Sequence, residues 1–373
     1  MRRLLVILLL ALTSLPVFAA KRVSIKQFER GLDEAKGKPD KEFVRWVSEF
    51  ALSERVSGSR LARWKESVAG VEGRRALGAL ADLSAFENLP GEEIPKLAAP
   101  DRDRQQQMID AAGIYVEQTL AKLPNFFATQ AVNSFENTPP SSVSTYVPMH
   151  YADSLSATVL YRNGKEVMET HKSKDVTEAD PAPLGKAGLL SSGEFGPVLH
   201  TVLSDAQRGK LAWSHWETLG ATTMAVFRYA VVRGKSNYKV KVVLPGVKGA
   251  FQVRPGYHGE IGIDPATGTI LRLTLCADMT DADPLLDADL MVEYGPVEIG
   301  PMTYICPVKS VALVMAYPMG VQLSRDVEKM GDITSRSAGD INLQTIVNDI
   351  GFGNYHVLRS EARVLTGDDS EKP

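Results

Sequence analysis

Cysteine is nearly absent from this chain, whose 373 residues include only Cys276 and Cys306. No Cys-x-x-Cys pair occurs, which excludes the zinc sites that such pairs build. An excess of one charge is also lacking, since 42 Lys and Arg residues face 45 Asp and Glu residues and the net charge is −3. A nucleic-acid-binding domain usually carries a basic patch or stripe. We therefore expect no nucleic-acid partner.

The common catalytic and cofactor-binding motifs are missing as well. The sequence contains no Gly-x-Ser-x-Gly elbow of a serine hydrolase, no phosphate loop and no dinucleotide fingerprint. The acidic stretch from Asp278 to Asp289 lacks the central Gly and the final Glu of an EF-hand, and we interpret it as a solvated loop. We predict no catalytic residue and no cofactor on these grounds.

A long apolar run occurs only at the start, from Leu4 to Leu12, between Arg2-Arg3 and Ala19-Ala20. A charged start, a short apolar core and small residues at the end are typical of a secretory signal peptide. The run is shorter than the roughly 20 apolar residues of a membrane-spanning helix. We expect cleavage after Ala20, which changes the net charge from −3 to −5. The expected product is an exported, periplasmic or extracellular protein that does not span the membrane.

The two cysteines leave two interpretations open. An exported protein meets an oxidising compartment, where an even number of cysteines suggests a disulfide. Both residues lie in runs with the pattern of strands, and neighbouring strands can bring cysteines within bridging distance. A Cys276–Cys306 disulfide is one interpretation, and two separately buried thiols are the other.

The hydrophobic pattern changes its period near residue 126. Apolar residues before that point recur at helical spacing, as in the run Phe43, Val44 and Val47, whereas those after it alternate with a period of two. The pattern predicts an α+β fold with a small helical domain over 21–125 and an antiparallel β domain over 126–366. About ten strands in sequence predict a large curved sheet or half-barrel. We interpret 324–348 as a mobile loop and 367–373 as a disordered tail.

Two local signals refine the β domain. Asn163-Gly164 separates two alternating runs and is a strong hairpin signal, because both residues tolerate positive φ. The run Gly193–Arg208 places Leu199 and Val202 on one face and predicts a single inserted helix. This helix either seals the core of the sheet or gates a pocket on its concave side.

Two His-x-Glu tripeptides offer a metal hypothesis. Residues two apart on a strand point to the same face, so paired strands would gather His215, Glu217, His258 and Glu260. Two imidazoles and two carboxylates suffice for a divalent metal ion. The alternative is a solvated sheet face with polar side chains.

Several segments together resemble a group of exported acidobacterial-type proteins of unknown function, and that group implies no activity. The segments are 122–129, 191–199, 213–217, 257–261, 292–300, 304–311 and 354–357.

A more distant resemblance concerns the fold. The run from Ile261 to Arg272 is similar to the hairpin of periplasmic lipoprotein carriers and their sensor relatives, the LolA, LolB and RseB types. The resemblance implies, over about 127–365, a curved antiparallel sheet around an apolar cavity that helices close and acyl chains enter. It identifies no ligand-binding residue.

Three functions follow in order of expectation. The first is a non-enzymatic periplasmic binding or carrier module, which takes a lipid or acylated partner in the concavity of the β domain. The second is an envelope scaffold that uses its helical domain to hold a protein partner. The third is a metal-assisted hydrolase built on the two His-x-Glu pairs. We expect a binding protein rather than an enzyme.

Overall fold

The computed structural model describes residues 20–119, 122–137, 147–169, 187–189, 193–245, 249–280, 283–317 and 343–358. The predicted leader (apart from Ala20), the predicted tail and most of the predicted loop over 324–348 lie outside these ranges. The α-helices are α1 (Ile25–Ala35), α2 (Asp40–Val47), α3 (Gly58–Glu66), α4 (Val71–Leu83), α5 (Arg102–Thr119) and α6 (Pro197–Arg208). The strands are β1 (Lys21–Val23), β2 (Phe50–Leu52), β3 (Phe126–Glu136), β4 (His150–Arg162), β5 (Lys165–Glu169), β6 (Gly188–Leu189), β7 (Lys210–Leu219), β8 (Thr222–Val231), β9 (Val240–Val243), β10 (Phe251–Val253), β11 (Gly256–Ile263), β12 (Ile270–Asp278), β13 (Leu285–Ile299), β14 (Met302–Ala316) and β15 (Gln344–Val357).

The predicted α+β class is confirmed. Ten strands form one antiparallel sheet in the order β5-β4-β3-β15-β14-β13-β12-β11-β8-β7, and this sheet is not closed. A three-stranded sheet, β10-β9-β6, and a parallel pair, β1-β2, accompany it. The helices lie mostly in the N-terminal part of the chain.

The helical segment, α1 to α4 with β1 and β2, has a core of its own. Ser24 begins α1 with a capping box, in which its side chain and that of Gln27 each accept a backbone N–H of the other residue. The apolar face of α1 buries Phe28, whose ring stacks on Trp46 with centroids 5.2 Å apart. Trp64 of α3 packs on the same ring at 5.0 Å. Each buried aromatic ring removes a large apolar area from water, and this stabilises a helical unit with few core residues.

The first face of the large sheet is covered along its central strands by helices and by the three-stranded sheet. Apolar residues alternate along β8, β11, β12 and β13, and they pack against α5, α6 and the three-stranded sheet. Leu199 and Val202 of α6 are buried completely in this core. The inserted helix therefore seals the sheet, which was one of its two interpretations. Helix α5 contributes Met108 and Ala112 to this core and not to the core of α1–α4.

The second face of the sheet packs against the helical segment. Ala79 of α4 lies in a cluster with Phe135, Leu313 and Val347, and Ala85 lies in a cluster with Met291 and Val311. These residues come from four neighbouring strands, β3, β15, β14 and β13. The middle of the sheet is therefore buried on both faces. The first face is covered by α5, α6 and the three-stranded sheet, and the second is covered by the helical segment.

The local predictions had mixed outcomes. The hairpin at Asn163-Gly164 is confirmed, with φ of 52° and 75° at the two turn residues. The predicted loop over 324–348 runs too far, because β15 begins at Gln344. The acidic stretch is not a solvated loop throughout, because β13 begins at Leu285 and Asp289 is buried within it. Among the helices in the described ranges, none is long and apolar enough to cross a membrane.

Candidate functional site

An apolar cleft opens between the helical segment and the β3–β4 end of the sheet. Its walls come from α2, β2 and α4 on one side and from β3, β4 and the residues before β4 on the other. The apolar lining includes Val47, Leu80, Leu83, Phe135 and Met149. It lies beside the contact of Ala79 of α4 with Phe135 of β3. A concave apolar surface between two structural units is a common location for a ligand site.

Two of the polar residues that line the cleft are exposed at its rim. Glu72 and His150 are exposed, whereas Val47, Ala79 and Leu80 are buried. The rim is organised by Arg75, whose guanidinium lies 4.2 Å from the centre of the Tyr151 ring. Its Nη1 also donates hydrogen bonds of 2.7 Å to both carboxylate oxygens of Glu72. The cleft thus combines an apolar interior with the Arg75–Glu72 ion pair at its mouth.

The size of the cleft limits what can enter it. The volume of the cleft is about 50 Å³. On this measure a single water needs about 10–15 Å³, so the cleft holds about three to five water-sized groups. A branched aliphatic side chain or the last few carbons of an acyl chain matches that volume. A whole small-molecule ligand would need a cavity of roughly 300 Å³ or more.

A buried charge network fastens the helical segment to the opposite end of the sheet. Arg55 donates to both carboxylate oxygens of Glu217, at 2.9 and 2.7 Å, and Arg272 binds the same carboxylate from the neighbouring part of the sheet. The side chains of Glu217 and Arg272 are only 2% and 1% exposed. Burial alone would raise the pKa of Glu217, but the imidazole of His215, 3.5 Å away, and the charges of Arg272 and Arg55 lower it. Glu217 is therefore a carboxylate at neutral pH, and its negative charge balances part of the positive charge of the arginines.

The four residues of the metal hypothesis are divided by this network. Glu260 accepts hydrogen bonds from Arg272 at 3.2 Å and from Arg228 at 3.1 Å, so both predicted carboxylates have arginine partners. The Nε2 of His215 lies 3.5 Å from Glu217, whereas the Nδ1 of His258 lies 2.7 Å from Asp278. No group of three or more His, Cys, Asp or Glu side chains among the described residues is placed to hold a metal ion. The metal hypothesis stays a prediction, and the geometry favours an ionic fastening instead.

Of the two interpretations of the cysteines, the disulfide does not hold, because Cys276 and Cys306 are free thiols. Cys276 lies opposite Asp289 of β13 and Cys306 opposite Gly295. These two partners are about 20 Å apart along the strand at about 3.3 Å per residue. A disulfide requires Cα atoms within about 7 Å. The alternative of two separate thiols is the correct one, and burial raises the pKa of both.

A second ion pair fixes α4 above the middle of the sheet. The Nζ of Lys309 lies 2.6 Å from Asp82 of α4 and 3.3 Å from Asp349 of β15. Burial alone would lower the pKa of Lys309, but the two carboxylates raise it. The lysine therefore stays charged and holds α4, which forms one wall of the cleft, against β14 and β15.

Sequence reasoning missed the cleft and its ionic fastenings. Arg55 and Glu217 are 162 residues apart in the sequence, and a local pattern does not connect positions at that separation. The one usable signal was the position of Glu217 on a strand with apolar neighbours, since a buried carboxylate requires a cation. That signal indicates that Glu217 has a cationic partner, but it does not show which residue the partner is.

The comparisons with known proteins bring no relative. No family model, no curated protein and no solved structure matches this chain.

Proposed function

We propose that the protein is a non-enzymatic binding module for a lipid or acylated partner, and that the apolar end of the ligand enters the cleft between α4 and β3–β4. The observation that carries the proposal is the separation of surfaces in the cleft, which has apolar walls and an exposed polar rim. Removing a few carbons from water into such walls contributes about 25 cal/mol per Å² of apolar area. Arg75 at the rim is paired with Glu72, so a negatively charged head group would have to compete with that carboxylate.

The cleft is a better candidate than the concavity of the sheet. In the resemblance to lipoprotein carriers, acyl chains would lie on the first face of the sheet. That face packs against α5, α6 and the three-stranded sheet, and residues such as Val202 and Val292 have no exposed surface. A ligand there would have to displace a packed core, whereas the cleft needs no displacement.

The small volume of the cleft favours a second candidate function. About three to five water-sized groups correspond to one apolar side chain, and protein interfaces often depend on one such anchor in a pocket. On this alternative the protein is an envelope scaffold, and a partner protein inserts a side chain where the first proposal places the end of an acyl chain. The export that residues 1–20 predict is part of both proposals.

A fluorescent fatty acid, dansyl-undecanoic acid, tests the first proposal. Titration of the full-length mature chain should give saturable emission enhancement. Ala76 of α4 lines the cleft and is half-buried, so Ala76→Leu should fill part of the space and weaken binding at least about tenfold. Ala266→Leu, in an exposed turn, is the matched control and should bind as the wild type does.

The same titration can overturn the proposal. Absence of saturable binding, or equal weakening by Ala76→Leu and Ala266→Leu, would exclude lipid binding in the cleft. Mass spectrometry of solvent extracts of the purified protein gives an independent readout, because a carrier should retain acyl lipids. An apolar peptide that binds the wild type but not Ala76→Leu, without any lipid binding, would favour the scaffold.

A further inference from the structure

The segment between Glu217 and Glu260 contains basic residues but no acidic ones. The chain as a whole has a net charge of −3, yet no Asp or Glu occurs over 218–259. The Lys and Arg residues of this segment are Arg228, Arg233, Lys235, Lys239, Lys241, Lys248 and Arg254, of which Lys248 lies outside the described residues. A concentration of positive charge in a slightly acidic chain indicates a surface for an anionic partner.

The three-stranded sheet carries three of these cations on its outer side. Val240 of β9 pairs with Val253 of β10, so the next residues along the two strands, Lys239 and Arg254, lie beside each other. Both are exposed. Lys241 follows the buried Val240 and therefore points to the opposite side of the strand, away from the core. These cations thus lie on the side of the three-stranded sheet that faces away from the large sheet.

The turn Arg233–Lys235 extends this basic surface. The backbone N of Arg233 lies 3.0 Å from the position that a Cβ atom of Gly256 would take, so the turn packs on the start of β11. Gly256 follows Arg254 by two residues, which brings the turn close to the end of β10. The Nζ of Lys235 donates a hydrogen bond of 2.9 Å to the backbone carbonyl of Arg208, at the end of α6. The turn therefore connects the three-stranded sheet with the end of α6.

Four of the cations on this surface form no ion pair within the part of the chain that the structure describes, and we call them the basic patch: Lys235, Lys239, Lys241 and Arg254. Their neighbour Arg233 differs, because it pairs with Asp283 at 3.2 Å. Arg208 likewise pairs with Asp205, at 2.6 Å. The positive charge of the basic patch is therefore available to a partner.

An aliphatic side chain is exposed beside the basic patch. Val232 immediately precedes the turn Arg233–Lys235 and is 65% exposed. The surface of an anionic bilayer suits this combination, because its head groups attract cations and its interfacial region accepts apolar side chains. Single-stranded nucleic acids are instead bound by stacking of their bases on aromatic rings. The chemistry of the surface favours a membrane.

We propose that the basic patch docks the protein on a lipid bilayer that contains anionic lipids, with the four cations at the head groups and Val232 inserted among them. Each Lys or Arg near such a surface strengthens binding about fivefold, so four cations give a preference of roughly several hundredfold over a neutral bilayer. The three-stranded sheet covers the first face of the large sheet, whereas the cleft lies on the second. Docking therefore does not depend on a ligand in the cleft.

Co-sedimentation of the full-length mature chain with vesicles tests the proposal. Vesicles with about 30% phosphatidylglycerol in phosphatidylcholine should bind the protein saturably, and about 0.5 M sodium chloride should remove most of this binding by screening. The double variant Lys239→Gln/Arg254→Gln should bind about 25-fold more weakly, because two cations are lost. Lys26→Gln/Lys41→Gln changes the net charge equally at exposed positions of α1 and α2, and this control should bind as the wild type does.

Val232 has its own test with a matched control. Val232→Ser should weaken binding to the same vesicles about tenfold, because an apolar side chain no longer leaves water. Val71→Ser replaces a valine that is 59% exposed at the start of α4, and it should leave binding unchanged. Equal effects of the two substitutions would exclude insertion of Val232.

Three results would overturn membrane docking. They are a lack of saturable binding to the anionic vesicles, equal binding to pure phosphatidylcholine, and equal weakening in the two double variants. Binding of single-stranded DNA without binding of vesicles would assign the basic patch to nucleic acid and would also exclude the proposal. Ala76→Leu, the variant of the cleft, should bind vesicles as the wild type does, so this outcome is separate from that of the fatty-acid titration.

Discussion

Arg55 and Glu217 form a bidentate ion pair across the junction between the helical segment and the edge strand β7, with Nη1–Oε1 and Nη2–Oε2 distances of 2.9 and 2.7 Å. The carboxylate binds Arg272 on its other side. A single buried negative charge therefore joins two positive charges that come from separate parts of the chain. The pair holds the helical segment on the sheet, and the helical segment forms one wall of the cleft.

Removal of this negative charge should be costly. Glu217→Gln leaves two buried arginines facing a neutral amide, and breaking a buried pair of this kind costs about 3–5 kcal/mol. Denaturant unfolding of the variant should show that loss in the free energy of unfolding. Lys36→Met, which removes an exposed pair with Asp33, should change the same quantity by less than about 1 kcal/mol. A loss of similar size in the two variants would contradict the role given to Glu217.

Asp289 should make the protein less stable as the pH rises. Burial, and then the charge of Asp287, raises the pKa of Asp289 to about 8. The folded state therefore holds a proton that the unfolded chain has released above about pH 4, so the free energy of unfolding falls as pH increases toward 8. Each pH unit in that window costs up to about 1.4 kcal/mol.

Asp289→Asn should flatten this pH dependence, because the amide carries no charge and still accepts the hydrogen bond that Ala277 donates at 3.3 Å. Unfolding curves at pH 5, 6, 7 and 8 measure the slope. Asp33→Asn, at an exposed position, is the control and should retain the wild-type slope. An unchanged slope in Asp289→Asn would show that the carboxyl group is already ionised at pH 5.

Gly259 of β11 should not tolerate a side chain. A Cβ atom at this position would overlap the backbone carbonyl of Thr274 in the neighbouring strand. Gly259→Ala should therefore cost about 1–3 kcal/mol of unfolding free energy, as overpacked positions do. Gly351→Ala is a suitable control, because a Cβ there meets no atom within 4 Å. Thermal unfolding should separate the two variants, and equal melting temperatures would contradict the register of β11 and β12.

Because both cysteines are free thiols, the stability of the protein should not change when a reductant is added. Alkylation of the denatured protein should modify both Cys276 and Cys306 whether or not a reductant was added first. The melting temperature should be the same with and without dithiothreitol, because no bridge restrains the unfolded chain. Detection of a peptide that links the two cysteines would require a different sheet register.

Local chemistry explains which parts of the fold were predictable. The turn at Asn163-Gly164 needs two positive φ angles, and those residue types supply them. The start of β15 was missed because Gln344, Thr345, Ile346 and Val347 are all buried and show no alternation. A strand covered on both faces has no polar face to produce a period of two. That coverage comes from the docking of α4 and the packing of β6, which no local pattern contains.

The candidate site was harder to predict than the fold. Glu217 and Glu260 drew attention as metal ligands because their spacing on a strand is suitable, and this spacing is equally suitable for two arginines. The cleft lies where α4 packs against Phe135, and the pairing of Lys309 with Asp82 holds α4 on the sheet. Tertiary contacts decide whether such carboxylates bind a metal ion or arginines, and the spacing of a motif contains no information on those contacts.

The position of β15 between β14 and β3 governs the order in which the sheet can be assembled. Strands β3 and β14 are synthesised well before Gln344–Val357, yet neither pairs with the other. Until β15 is available, the chain holds two half-sheets, β5-β4-β3 and β14 to β7, each with a bare hydrogen-bonding edge at the centre of the future sheet. Such edges are prone to pair with other chains. Among the described strands, the pairing of β15 with both neighbours therefore removes two edges at which a newly made chain can associate with other chains.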